Sequence, residues 1–282
     1  VGSLDDDTRL DGGESGRYTA TLSSDWEIWG PCGGYVAAVA CRAAGAASRF
    51  DRPVSFSCHY LGVAAFDAVD LEVTTIRAGR TTESLRVSMT QQGRPILEGM
   101  LLTMADHEGL EHVDVVAPDV PDPRGLPSVA ERMAEVEGAQ PPFPFWYNVD
   151  SRPVVWRDQW PPEEALPPTW QEWERFIPEA TSEDPWVDAA RSIVWIDLCG
   201  WPAASRAHAY RQPPWVAVNV DLYVAFHQPR PASEFLFIDG HSSIAAEGLM
   251  GYTARTWAED RALVASGGGQ LFCRRTEAVA GA

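Results

Sequence analysis

The chemistry open to this chain is limited first by a residue it lacks. All 22 basic side chains are arginines, and no lysine occurs in 282 positions. A phosphate-binding loop ending in Gly-Lys-Ser/Thr, a Schiff base to pyridoxal phosphate and a kinase-type lysine all need an amine, so each is excluded. Five cysteines, Cys32, Cys41, Cys58, Cys199 and Cys273, form neither a CxxC pair nor a Cys/His cluster at metal spacing. No metal site is expected, and free, mostly buried thiols in a reducing compartment suit the odd count. No Gly-x-Ser-x-Gly elbow is present, which leaves a serine-hydrolase mechanism unsupported. His59, His227 and His241 lie singly on strand-like segments, where a histidine is more often a satisfied structural residue than a base. Gly33-Gly34 opens a helical segment, and its backbone N–H groups could face a carbonyl or phosphate. Close packing of a helix on a sheet accounts for paired glycines equally well.

These groups need elements to hold them. Residues 17–29 read as a strand, and 35–47 as an alanine-rich helix with Val36, Val39, Ala40 and Ala43 at helical spacing. That helix is apolar nearly all round, which predicts burial. The pattern then changes to period two at Val54, Phe56, Cys58 and Tyr60, with further strand-like runs at 69–77, 82–90 and 95–104. Tight turns at 78–80 and 92–94 make the last three an antiparallel meander. One buried helix followed by long antiparallel strands is the order of a hot-dog fold, in which the sheet wraps the helix.

The second half repeats this order. Residues 192–198 read as a strand, Cys199-Gly200-Trp201-Pro202 opens a short helix reaching Ala209, and strand-like runs follow at 217–227, 234–243, 246–257 and 262–273. Laying Cys32-Gly33 on Cys199-Gly200 aligns the halves at an offset of 167, which also brings 93–97 onto 260–264. We read this as a tandem repeat. Of the 22 prolines, 14 fall between Pro118 and Pro185, together with Trp146, Trp156, Trp160, Trp170 and Trp173. So aromatic a stretch is not a free linker; it is expected to pack across one or both halves. Within it, residues 128–138 read as a helix with Ser128 as N-cap and Glu131 closing a capping box. The expected division is a flexible N-terminus (1–16), an N-terminal hot-dog (17–106), a Pro/Trp-rich connector (107–186) and a C-terminal hot-dog (187–282), giving an α+β tandem (double) hot-dog.

The net charge of −18 argues against nucleic acid or an anionic membrane surface as partner. No apolar run reaches the ~18 residues of a membrane span, and residues 1–16 are too acidic and glycine-rich for a signal peptide. A cytoplasmic location is expected.

The strings GGYVAAVACRAA, FSCHYL and RAGRTTESLRVSMTQQGRPILEGMLLTM, followed by VNVDLYVAFH, GHSSIAAEG and RALVASGGGQLFC, carry a family likeness. In order and spacing they resemble the acyl-CoA thioesterase II family, the TesB-like double hot-dog enzymes, from about Arg17 to Arg274. The resemblance implies hydrolysis of an acyl thioester by an activated water, with no cofactor beyond coenzyme A or a carrier pantetheine as part of the substrate. It also implies a homodimer or homotetramer. In that family an Asp, a Thr and a Gln of the second hot-dog hold the water. Asp197, in IVWIDLCGWPA, stands in the Asp place, at the end of the strand before the helix. A carboxylate there can take a proton from water, or it can merely cap the helix.

Asn219, in NVDL, stands where Thr is expected; its amide can donate to and accept from a water, or it can bond a neighbouring loop. Gln270 comes one residue late after Val264-Ala265-Ser266, and a bulge in Gly267-Gly268-Gly269 would restore it. Otherwise Gly269 takes the place and the Gln role is lost. Substrate contacts are expected from Gly33, Gly34 and Gly200 through backbone N–H groups, from His241 and Ser242 in the Ser-rich strand, and from Arg80. Arg77, Arg86, Arg274 and Arg275 are further arginines suited to coenzyme A phosphates. The offset sets Gly30 opposite Asp197, so the first half lacks the acid and should form a tunnel wall. Two rivals remain: a dehydratase or acyl transferase of secondary metabolism on the same scaffold, and a non-catalytic acyl-thioester-binding protein.

Overall fold

In the computed structural model, residues 1–157, 163–208 and 215–275 are described. The chain opens with α1 (Leu4–Asp7), β1 (Asp11–Gly12) and β2 (Arg17–Thr21). The long helix α2 (Gly33–Ala46) precedes β3 (Arg52–Tyr60), β4 (Ala68–Ala78), β5 (Thr82–Gln91) and β6 (Arg94–Met104). The connecting stretch supplies α3 (Val129–Ala134), β7 (Val149–Pro153) and β8 (Thr169–Phe176). The second half then gives α4 (Pro185–Leu198), α5 (Gly200–Ser205), β9 (Trp215–Asn219), β10 (Asp221–Phe226), β11 (Leu236–Ala246), β12 (Leu249–Ala258) and β13 (Leu263–Arg275).

Among the described residues the strands form one antiparallel sheet in the order β1-β2-β4-β5-β6-β3-β10-β13-β12-β11-β8-β7, with β9 also on β13. The halves meet at β3 and β10, where His59 pairs with Asp221 and Ser55 with Ala225. Each half wraps one helix, as the tandem hot-dog requires, and α2 and α4 pack against each other in the hollow. They run antiparallel, because Gly34 at the start of α2 meets Val194 near the end of α4, while Gly45 near the end of α2 meets Trp186. Ala37, Ala38, Val39 and Ala40 are fully buried, so small side chains let the two helices close on each other.

Four expectations are corrected. Residues 192–198 belong to helix α4, since a short apolar run suits a buried helix as well as a buried strand. The following helix, α5, ends at Ser205, and Ala209 lies outside the described residues. Cys199-Gly200 is therefore not the counterpart of Cys32-Gly33. The two long helices open at Gly33 and Pro185, an offset of 152, and only the later strands keep the larger one. Asp197 then matches Gly45 rather than Gly30, and the first half still lacks the acid. The boundary expected at 187 falls inside α4, and β8 pairs with β11 as an outer strand of the second half.

Nor is residues 1–16 a flexible tail. Leu4 is buried, the Gly2 N–H donates to Asn148 Oδ1 at 2.8 Å, and Arg42 pairs with Asp5 at 2.6 Å. Asp7 accepts from the Trp26 indole at 2.8 Å, so this charge is part of the packing.

The connector does pack as its composition suggests. Ser128 and Glu131 close the capping box through bonds of 3.0 and 2.7 Å. Ala117, Val120 and Leu126 cover Trp173, Phe235, Phe237 and Trp257 on the outer face of the second half. Phe145 enters the main core at 5.8 Å from Trp26 and 6.1 Å from Trp195.

The helix contact yields a test. Alanine normally gains roughly 0.5–1 kcal/mol over glycine inside a helix. A Cβ at Gly45 would, however, lie 2.2 Å from a Trp186 ring atom, and overpacking of a rigid core costs about 1–3 kcal/mol. Gly45→Ala should thus lower the urea midpoint of unfolding, whereas an unchanged or higher midpoint would show that the helices can separate freely.

Candidate active site

Asp197 lies in the last turn of α4 and is 4% exposed. Its Oδ1 accepts from the Tyr60 hydroxyl at 2.7 Å and from Asn219 Nδ2 at 2.8 Å. The Gly34 backbone N–H, in the first turn of α2, donates to the same carboxylate. Asn219 Nδ2 also caps the end of α4 by donating to the Asp197 carbonyl oxygen at 2.8 Å. The carboxylate therefore does cap a helix, but the one it caps is α2 of the other half.

A negative charge is unfavourable at the C-terminus of α4 and favourable at the N-terminus of α2. Burial pushes the Asp197 carboxyl up to about 6, and the Tyr60, Gly34 and Asn219 donors hold it from rising further. At neutral pH it is mostly ionised and only weakly hydrated, which suits a group that accepts a proton. Burial, with the nearby Asp197 charge, pushes the neighbouring Cys32 thiol up to about 12, so it stays protonated.

The carboxylate opens into a cavity of about 470 Å³. Trp29, Phe143, Trp146 and Trp201 make much of its wall, and Tyr60 and Asn219 line it beside Asp197. Phe143 and Trp146 come from the connector, and Phe143 meets Trp29 edge-on at 5.9 Å. A Cβ at Gly33 would fall 3.0 Å from Asp197 Oδ2 and press on the carboxylate. Asn219 Oδ1 is buried without a hydrogen-bond partner among the described residues. At the opposite end of the helix pair lies a cleft of about 560 Å³ lined by Arg52 and His227. Its helix end has Trp186 over Gly45 in place of a carboxylate. Among the described residues no three His, Cys, Asp or Glu side chains are grouped to hold a metal.

Of the expected residues, Asp197, Asn219, Gly33 and Gly34 come together, and the rest do not. Gln270 faces the outer side of the sheet. β12 and β13 stay in register from Arg255↔Ser266 to Leu249↔Phe272, so the three glycines contain no bulge. The irregularity instead falls beside Val264. The alternation thus turns Gly267, Gly269 and Leu271 inward with Ala254, Tyr252 and Met250, and leaves Gln270 exposed.

Gly200 packs against Tyr252 and Leu271 in the core and does not line the cavity. His241 is exposed, Ser242 donates to the Gly251 carbonyl at 3.1 Å, and Arg80 sits exposed in the β4–β5 turn. None of these three lines the cavity, whereas Arg274 does. Tyr60 is the residue that sequence reasoning missed. Its inward face was visible in the Phe56-Cys58-Tyr60 alternation, but a tyrosine ending a strand reads as core.

A family model described as the acyl-CoA thioesterase N-terminal domain matches residues 22–104, and one described as the acyl-CoA thioesterase C-terminal domain matches residues 116–268. No curated protein matches the chain. Among solved structures, the acyl-CoA thioesterase II TesB2 from Mycobacterium marinum superposes with a TM-score of 0.79 at 19% identity, covering 98% of this chain and 99% of that one. A hot-dog-fold protein from Alicyclobacillus acidocaldarius gives 0.78 at 18% identity, with 98% and 100% covered. The tesB protein of Mycobacterium avium subsp. paratuberculosis gives 0.76 at 18%, with 96% and 98% covered. At these identities the structural likeness concerns the fold.

The buried carboxyl also makes a stability prediction. Its folded value of about 6 exceeds the unfolded value of ~3.9, so the folded state holds the proton more tightly, and stability declines as pH rises through that window. The decline from this one group is on the order of 2–3 kcal/mol. Asp197→Asn removes it. The variant should gain stability relative to the parent between pH 4 and pH 7 in urea unfolding, and a constant difference across that range would contradict the assignment.

Proposed function

The chain belongs to the acyl-CoA thioesterase family and its reaction is thioester hydrolysis, and we propose that Asp197 serves that reaction as general base. The observation that carries this reading is a buried, hydrogen-bonded carboxylate facing a cavity lined by Asn219, whose acceptor Oδ1 has no partner among the described residues. In this reading a water gives one hydrogen to Asp197 and the other to Asn219 Oδ1. Its oxygen attacks the thioester carbonyl carbon as Asp197 takes its proton. The oxyanion is met by the Gly33 N–H, which the first turn of α2 leaves unpaired. The tetrahedral intermediate then collapses, the C–S bond breaks, and the proton on Asp197 passes to the departing sulfur.

The substrate we assign is an acyl-CoA, with the acyl group among the indoles of the cavity and Arg274 at the mouth available to a coenzyme A phosphate. A carrier-borne pantetheine thioester is the second reading, since the thioester end is the same. No histidine lines the cavity among the described residues, which speaks against the dehydratase chemistry on this scaffold. Five free cysteines, four of them buried, support action in the reducing cytoplasm. Exposed Tyr223, Phe272 and Met100 support assembly into a homodimer or homotetramer.

Thiol release from a panel of acyl-CoAs tests the proposal. Asp197→Asn should lower kcat by about 10² or more with KM little changed. Tight acyl-CoA binding by the parent without turnover would instead identify a binding protein. kcat/KM should rise with pH through an apparent value near 6. Tyr60→Phe removes a donor that favours the carboxylate, so it should move that limb to higher pH. An unmoved limb would mean that another group is titrating.

A further inference from the structure

One wall of the cavity beside Asp197 is held in place against two costs. Trp29 lines it from the tight loop before α2, where a Glu27–Pro31 bridge and the Ile28 N–H, donating to the Gly30 carbonyl at 2.8 Å, turn the chain back on itself. Trp29 has φ 62°, and Gly30 follows at φ 135°. Left-handed backbone suits glycine or asparagine and is unusual for so bulky a residue. The indole is also 52% exposed, and its one ring contact among the described residues is Phe143, edge-on at 5.9 Å. Packing within the protein thus offsets little of either cost.

Backbone strain persists where the surroundings impose it, and it gathers at ligand sites. Here the connector imposes it, since the Phe145 N–H donates to the Glu27 carbonyl at 3.3 Å and Phe143 lies against the indole. Trp146 of the same connector and Trp201 of α5 complete the aromatic wall, so rings from three separate segments line one space. Apart from Asp197 and Arg274, no lining side chain among the described residues is charged, which suits an uncharged acyl group. At about 470 Å³ the cavity must also take part of the pantetheine arm, and this favours a compact group over a long chain. A planar ring makes edge and face contacts with indoles that an alkyl chain does not, and it has fewer torsions to fix.

We infer that the acyl group of the substrate is aromatic, an arylacyl or arylacetyl thioester, and that Trp29 is the residue that selects it. This rests on the reading that hydrolysis runs in the Asp197 cavity.

Thiol release from phenylacetyl-CoA and octanoyl-CoA, whose acyl groups have equal carbon counts, tests this on the parent, Trp29→Gly, Trp29→Phe and Asp197→Asn, with thermal unfolding measured on each. In the parent, kcat/KM for phenylacetyl-CoA should exceed that for octanoyl-CoA by about fivefold or more. Trp29→Gly relieves the left-handed backbone, so its unfolding midpoint should hold or rise. Its kcat/KM for phenylacetyl-CoA should nevertheless fall about tenfold, mostly through KM, with the octanoyl value within about threefold of the parent. Trp29→Phe keeps a ring and should keep about half of the aryl preference or more. Equal or lower efficiency of the parent on phenylacetyl-CoA, with Asp197→Asn inactive on both substrates, overturns the aryl assignment and leaves the hydrolytic site standing. A loss alike on both substrates in Trp29→Gly overturns the selecting role of Trp29, and a lowered midpoint beside it marks a structural one. Full activity in Asp197→Asn would put the reaction elsewhere and overturn the reading of the site itself.

Discussion

A single carboxylate held between the ends of two antiparallel helices organises this molecule. Asp197 closes α4 and faces the first turn of α2, and the approach is close because Gly33 and Gly34 carry no side chain there. Its donors come from three elements: Tyr60 on β3, Gly34 on α2 and Asn219 on β9. Two of these belong to the first half and one to the second. The carboxylate is therefore satisfied only when the halves are docked, and docking in turn requires the small residues along α2. Stability and reactivity are opposed at this point. The same burial that weakens the ionised form makes it a better proton acceptor.

The aromatic connector completes what the two helices begin. Phe145 ties it to the core beside Trp26 and Trp195, and the adjoining Phe143 and Trp146 form part of the cavity wall. Proline donates no backbone hydrogen bond, so rings anchor this segment alongside the ladder bonds of β7 and β8. The cavity is thereby assembled from both halves and from the chain that joins them.

Local signals in the sequence were readable and long-range ones were not. The capping box at Ser128 and Glu131, the buried helix over Gly33–Ala46 and the meander after it depend on neighbours in the chain. The tandem hot-dog followed from ordered motifs. What failed depended on tertiary partners. Residues 192–198 are mostly apolar, and Ser192 and Asp197 alone mark neither a period of two nor one of 3.6, so no periodicity separates strand from helix there. The face of Gln270 turns on whether three glycines hold register, which composition does not settle. Tyr60 looks like an ordinary core tyrosine until its hydroxyl is placed. The cap that Asp197 provides lies on a helix more than 150 residues away in the chain.

Trp186 over Gly45 is the pseudo-twofold counterpart of Gly34 over Asp197, with the large and small partners exchanged. At one end of the helix pair a glycine leaves room for a charge, and at the other an indole fills the space. On the proposal that Asp197 is the base, this sets one proton-accepting centre for every two hot-dog units. Among the described residues only one end of the helix pair holds such a carboxylate, so on that proposal half of the duplicated scaffold is released from the demands of turnover. Its cleft beside Arg52 and His227 can change in sequence at no cost to the chemistry opposite.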